Sequence, residues 1–389
     1  MRHLIRITLS LSFLLTPGGR ALAEGDPALR LGAALHAFDH LGAQGQQLDA
    51  AVASGVTVIY ATGVGSDGYE GIPATDVWKR HRDDAAAYCA SAKARGVQRM
   101  IGYLCATSIV KLETFDAHWP DELRARLSKP PSEWRQQGRD GNPLPSWYGG
   151  DYQPACMNNP DWRTYEKYMV RMQLEAGHDG IFFDNPTVHP KGCYCPQCMD
   201  GFKDFMEGQG ATLVDPTLQD LYKLADEHRQ DFLRYRCTIA RDFLAEMRAY
   251  ARTIKPDALV TANNSLNSPQ AFYSQCQDYA YNIAELSKAE DFIVLEDMGT
   301  QPRMTAKGDI LEYGPTLRMV RAIANAKPIV NVTIAEADYH TPPNLMRLAM
   351  AESAANGASG RIIKNALVYP NAEIGYFMDK RQDIFPGVP

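Results

Sequence analysis

Asp179-Gly-Ile-Phe-Phe-Asp-Asn185 is a short apolar run that opens on a carboxylate and closes on a carboxylate and an amide. A parallel strand covered on both faces reads as near-continuous apolar sequence, and this run has that form. In sheets of parallel strands, functional side chains collect at the carboxyl ends. The reading therefore puts Asp184 and Asn185 at the working end of a strand. Asp179 falls at the opposite, stability end, where capping or an ion pair is its expected role.

The same form recurs on either side. The runs Leu31–Phe38, Val56–Ala61, Arg99–Ala106, Gly180–Asp184, Ala258–Asn263, Phe292–Glu296, Ile329–Ile334 and Arg361–Leu367 all read as strands. Helical spacing fills the intervals: Trp162, Tyr165, Met169 and Met172; Phe232, Ile239, Phe243, Met247 and Ile254; Leu317, Val320 and Ile323. Gly55, Gly96 and Gly177 stand where helices end in a left-handed residue. Pro256 and Pro328 stop helices just before a strand. Strand–helix alternation of this kind predicts a single α/β domain over residues 24–389, a (β/α)8 TIM barrel. An open doubly wound sheet is the rival, but Gly63-Val-Gly65 is too weak a phosphate-turn signal to support it. Long connections follow the third and fourth strands, and both emerge at the carboxyl end.

The chain of 389 residues is 45% hydrophobic and carries a formal charge of −6. It has no basic run, which argues against a nucleic-acid partner. Arg2 and Arg6 precede the apolar stretch from Ile7 to Leu15, and Ala21-Leu22-Ala23 fits a small-x-small cleavage site. Residues 1–23 are expected to be a signal peptide, which places the mature chain in a secreted or periplasmic compartment. No later stretch is long and apolar enough to cross a membrane, so no integral segment is expected in the mature chain.

Acids and amides gather at the strand ends. Asp39 follows the first, Asp184 and Asn185 the fourth, Asn263 and Asn264 the fifth, Glu296 and Asp297 the sixth, and Glu336 and Asp338 the seventh; Lys364 lies in the eighth. A mouth of this composition suits a neutral polyhydroxylated ligand, and the loop bearing Trp119, Trp134, Trp147, Tyr148 and Tyr152 offers rings to stack on sugar faces. Hydrolysis of a glycosidic bond needs two carboxyl groups across it. Asp184 as nucleophile or base with Glu296 as general acid is the leading pair, and Asp184 with Glu336 the competing one. His36, Asp39, Asn185, Asn263, Asn264, Asp297, Asp338, Lys364, Trp147 and Tyr148 are candidates for binding the sugar. His36 also has a plain reading as a core histidine. Two further readings use the same residues: a carbohydrate-binding barrel without catalysis, and a metal-dependent hydrolase, for which His36 and His40 are poorly spaced. No cofactor is required for carboxylate-pair hydrolysis.

The chain has 8 cysteines. Cys193, Cys195 and Cys198 lie within six residues and cannot all pair among themselves. With Cys156 or His189 they make a zinc-ligand set, and export equally permits disulfides that staple the loop after Asp184. Either way the role read here is structural, with disulfides ahead of zinc. Cys89 and Cys237 fall in helical stretches as buried residues.

Cys156-Met-Asn-Asn-Pro160, the strand Asp179–Asn185, Cys193-Tyr-Cys195-Pro-Gln-Cys198 and Phe202 together resemble the family called hypothetical glycosyl hydrolase 6. The resemblance is specific over about residues 150–205. It implies a TIM barrel related to α-L-fucosidase-like and β-galactosidase-like hydrolases, with Asp184 at the position of the strand-four nucleophile and Glu296 where such enzymes can carry their acid.

Overall fold

The computed structural model describes residues 36–40, 56–62, 68–146, 149–266, 268–297, 303–304, 307–333 and 351–361, with Leu48 and Val52. The parallel strands are His36–His40, Val58–Thr62, Arg99–Cys105, Gly180–Asp184, Leu259–Asn264, Ile293–Asp297, Ile329–Thr333 and Ser359–Arg361. Each pairs with its successor in the chain. The first meets the last at one pair, His36 opposite Arg361. The sheet is curled and barrel-like, with helices between its strands.

These strands fall on the runs read from the sequence. The last begins earlier than read, at Ser359, because Gly357 (φ +81°) ends the preceding helix two residues before it. Residues 31–35 and 362–367 of the expected first and last strands lie outside the described residues. Of the helix-ending glycines, Gly96 (φ +98°) and Gly177 (φ +100°) adopt the left-handed conformation, and Gly55 lies outside the description.

Alternation along the strands sorts side chains between two cores. Val58, Tyr60, Ile101, Phe182, Leu259, Phe292, Val294 and Val330 pack together inside the curl. Ile181, Phe183, Val260 and Ala262 face the helices instead. Phe182 meets Tyr60 edge-on at 5.6 Å and Tyr103 at the same distance. Removing so large a buried ring costs roughly 3–5 kcal/mol in general. Gly180 is forced by close approach, since a Cβ there would lie 2.3 Å from the carbonyl oxygen of Leu259.

Asp179 takes the structural role read for it. Its carboxylate receives the backbone N–H of Met100 at 2.9 Å and Lys93 Nζ at 2.8 Å, and it pairs with Lys255. Burial opposes its charge, but those partners hold its carboxyl below the usual range.

Helix Pro160–Glu175 starts where the sequence dictates. Asn159 caps it by accepting from the N–H groups of Asp161 and Trp162 at 2.9 and 3.0 Å, and Pro160 occupies the first turn. The long connection before it folds into a second apolar layer. Trp119 and Trp134 stack at 5.3 Å, and Phe115, Trp162 and Tyr165 close around them. This corrects the expectation of a tryptophan-lined mouth for these two residues. Both are buried, Trp134 completely, because the loop needs its own core to remain ordered. Trp147 and Tyr148 lie outside the described residues.

Candidate functional site

Asp184 closes its strand with Cys105 opposite it in register. It is 8% exposed. Its carboxylate collects donors from three elements. Tyr103 donates its hydroxyl to Oδ2 from the neighbouring strand. Asn263 donates Nδ2 to Oδ1 at 2.8 Å from the other neighbour. The N–H of Asn185 reaches Oδ1 at 3.0 Å. Hydrogen bonds to a charged acceptor are roughly twice as strong as neutral ones and fix its direction. The three strands therefore hold the carboxylate in one orientation.

The chain turns sharply after Asp184. Asn185 has φ +50°, a conformation that asparagine tolerates better than most residues. Its carbonyl accepts the Thr187 N–H at 2.8 Å and the Thr107 hydroxyl, which ties the turn to the adjacent loop.

A cavity of about 430 Å3 opens above this point. Tyr69, Tyr103, Cys105, Ser108, Tyr152, Asp184 and Asn185 line it. The volume lies within the usual range for small-ligand sites. Burial pushes the Cys105 thiol up to about 12, with the Asp184 charge adding to the effect. That burial favours the neutral thiol at Cys105.

The structure thus brings Asp184, Asn185 and Asn263 together, as the sequence led us to expect. Asn264 is placed elsewhere. It is buried and donates Nδ2 to Glu290 Oε1 at 2.8 Å and to the carbonyls of Ala262 and Val294, away from the cavity. Strand alternation explains this, since Asn263 and Asn264 must point to opposite faces. The backbones of His36, Asp39, Glu296 and Asp297 lie in strands, with Glu296 opposite Val332 and Asp39 opposite Ala61. Their side chains, and the whole of Glu336, Asp338 and Lys364, lie outside the described residues. Tyr69, Tyr103 and Ser108 were not read from the sequence as site residues. For Tyr103 the signal was available: it stands two positions after the inward Ile101 at the end of an apolar strand.

Beside the site, Cys156, Cys193, Cys195 and Cys198 form a buried cluster whose sulfurs all lie within 4.8 Å of one another. The expected disulfides are absent among the described residues, and all eight cysteines are free thiols. Cys156 Sγ stands 3.6 Å from Cys195 Sγ and 3.4 Å from Cys198 Sγ, against about 2.05 Å for a bonded pair. Four sulfurs each about 2.3 Å from a central zinc would be mutually separated by just under 4 Å, so the set fits a tetrahedral ion. The Gln137 N–H points at Cys193 Sγ at 3.3 Å, and Asn158 Nδ2 at Cys198 Sγ at 3.4 Å. Such donors support thiolate ligands from outside. His189 is not part of the set; its Nδ1 accepts from the Lys191 N–H.

No family model matches the chain. No curated protein matches it in sequence. Its fold does have solved counterparts. The cold-adapted β-galactosidase from Rahnella sp. R3 aligns at TM-score 0.53 and 15% identity, over 85% of this chain and 50% of that one. The β-galactosidase from the psychrophilic Marinomonas ef1 aligns at 0.55 and 10% identity, over 85% and 54%. The polyextremophilic β-galactosidase from the Antarctic haloarchaeon Halorubrum lacusprofundi aligns at 0.54 and 16%, over 85% and 52%. The chain spans about half the length of each of these proteins. At such identities the likeness establishes a shared fold and nothing about activity or substrate.

Proposed function

We propose that this chain is a glycoside hydrolase of the hypothetical glycosyl hydrolase 6 type, built on a complete (β/α)8 barrel and exported to a secreted or periplasmic location. Asp184 acts as nucleophile or base. Glu296 is the general acid, with Glu336 as the competing assignment. Glu296 lies on the strand Ile293–Asp297, two positions after Val294. The observation that carries the proposal is the setting of Asp184. It is a strand-end carboxylate aimed by Tyr103, Asn263 and the Asn185 N–H, on the wall of a cavity of about 430 Å3. The shared fold of the β-galactosidases supports it.

The chemistry follows from that setting. A carboxylate attacking an anomeric carbon must keep its charge and direction while the leaving oxygen receives a proton from a second carboxyl group. Donors fixed by the scaffold need no rearrangement as charge shifts in the transition state. Tyr103 and Asn263 are suited to that part.

The four cysteines are proposed to hold a structural zinc ion that stiffens the segment running on from Asp184. The ion takes no part in turnover, and no other cofactor enters the scheme.

A screen of the purified protein against extracellular and cell-wall oligosaccharides tests the proposal, with products separated and identified. Hydrolysis that is lost in Asp184→Asn supports it. Saturable glycan binding with no product from any substrate would instead make the protein a carbohydrate-binding barrel.

A further inference from the structure

We propose that Tyr69 and Tyr152 form a sugar-stacking wall above Asp184, which selects a neutral pyranose ring over an acidic one; the inference rests on the reading of this cavity as a carbohydrate site.

The two rings lie nearly parallel, 22° apart with centroids at 6.4 Å, and both line the cavity that holds Asp184 and Asn185. They come from different connections, and both are anchored to the segment Ser108–Val110. Tyr152 leads into the short strand Gln153–Pro154, which pairs antiparallel with Ser108–Ile109. The carbonyl of Tyr69 accepts the Val110 N–H at 2.7 Å, one residue past Ile109 and so at the end of that strand pair where Tyr152 lies. On the preceding residue, the Gly68 carbonyl accepts the Tyr165 hydroxyl at 2.6 Å. Two residues later Gly71 sits so close to Phe115 that a Cβ would meet its carbonyl oxygen at 2.2 Å. The rings are thus held before any ligand arrives, which lowers the entropic cost of stacking.

The lining chemistry matches one face of a sugar. Tyrosine rings pack against the apolar C–H face and keep a polar tip for water or hydroxyls. Ser108 and Asn185 offer donors and acceptors for the ring hydroxyls. Among the described lining residues, the only formal charge at neutral pH is the Asp184 carboxylate. A uronate would face that charge with no cation from the described lining to offset it, whereas a neutral hexose would not.

Four variants test the proposal: Tyr69→Ala, Tyr152→Ala, Tyr152→Phe and Tyr152→Leu, the last keeping side-chain bulk without the ring. Calorimetric binding and steady-state kinetics would use neutral and uronate-terminated oligosaccharides of equal length. The expected result is binding of neutral chains, and KM and Kd raised about tenfold by the Ala and Leu changes. Tyr152→Phe retains affinity, kcat stays within about twofold throughout, and uronate-terminated chains bind at least about tenfold more weakly. Unchanged KM and Kd in the Ala and Leu variants, or preferred binding of the uronate, would overturn the proposal. The two readings separate cleanly. Tyrosine-dependent binding without any cleavage keeps the wall and removes the hydrolase. Cleavage that ignores both tyrosines keeps the hydrolase and removes the wall.

Discussion

Replacing Glu290 by Gln should abolish a pH dependence of stability that the structure builds into the sheet. Glu290 is completely buried beside the junction of strands Leu259–Asn264 and Ile293–Asp297. Its Oε1 accepts the Ala262 N–H at 2.9 Å and Asn264 Nδ2 at 2.8 Å, while Oε2 has no partner. Burial pushes its carboxyl up from 4.5 to about 7, although the bonds from Asn264 and Ala262 and the nearby Lys327 charge pull the other way. Because the folded value lies above the unfolded one, the folded state binds the proton more tightly. The stability contributed by that proton is fully present below about 4.5 and is lost as pH rises through about 7. At 1.36 kcal/mol per pH unit, the loss across that window is on the order of 3 kcal/mol. Glutamine keeps the accepting oxygen and cannot ionise. Thermal melts of both proteins from pH 4.5 to 8 are the assay. The wild-type curve should fall relative to Glu290→Gln, by several degrees at pH 8 for a difference of this size. Parallel curves across the window would refute the reasoning.

Three further outcomes are expected. Tyr103→Phe removes one hydrogen bond to the Asp184 carboxylate and should lower kcat about ten- to a hundredfold with little change in melting temperature, read by kinetics and calorimetry together. Wild-type kcat in that variant would remove Tyr103 from the scheme. Metal analysis of the purified chain should find one zinc per molecule, and Cys156→Ser should lose it and melt several degrees lower. A metal-free protein of unaltered stability would argue for a plain thiol cluster. Gly180→Ala drives a methyl into the Leu259 carbonyl and should cost at least about 2 kcal/mol in denaturant unfolding; a neutral result would mean that the two strands can separate there without cost.

The strands were legible because they read as near-continuous apolar runs, and Gly180–Asp184 is buried along its whole length. Asp184 was legible because a carboxylate ends such a run. The cysteine cluster was visible as a spacing, but the choice of thiols over disulfides depended on where the loop carries Cys156 relative to Cys193, which spacing cannot give. Two kinds of residue were not legible. Trp119 and Trp134 look like loop aromatics at a mouth, and only the folded connection shows that they build its private core. Tyr69 reaches the site through a single backbone hydrogen bond to Val110, a contact between segments far apart in the chain, whereas Tyr152 was already among the loop rings read from the sequence. Glu290 was hidden for a similar reason. Its neighbours in sequence belong to a helix end, while its bonds go to a strand nearly thirty residues earlier, 26 and 28 positions away.

The role of Asp184 is tested most directly by the kcat/KM of wild type and Asp184→Asn on the best neutral glycoside from the screen, with circular dichroism confirming equal folding. The account predicts a loss of at least about a thousandfold, since a carboxylate that attacks or activates water cannot be replaced by its amide. Activity within tenfold of wild type would contradict it.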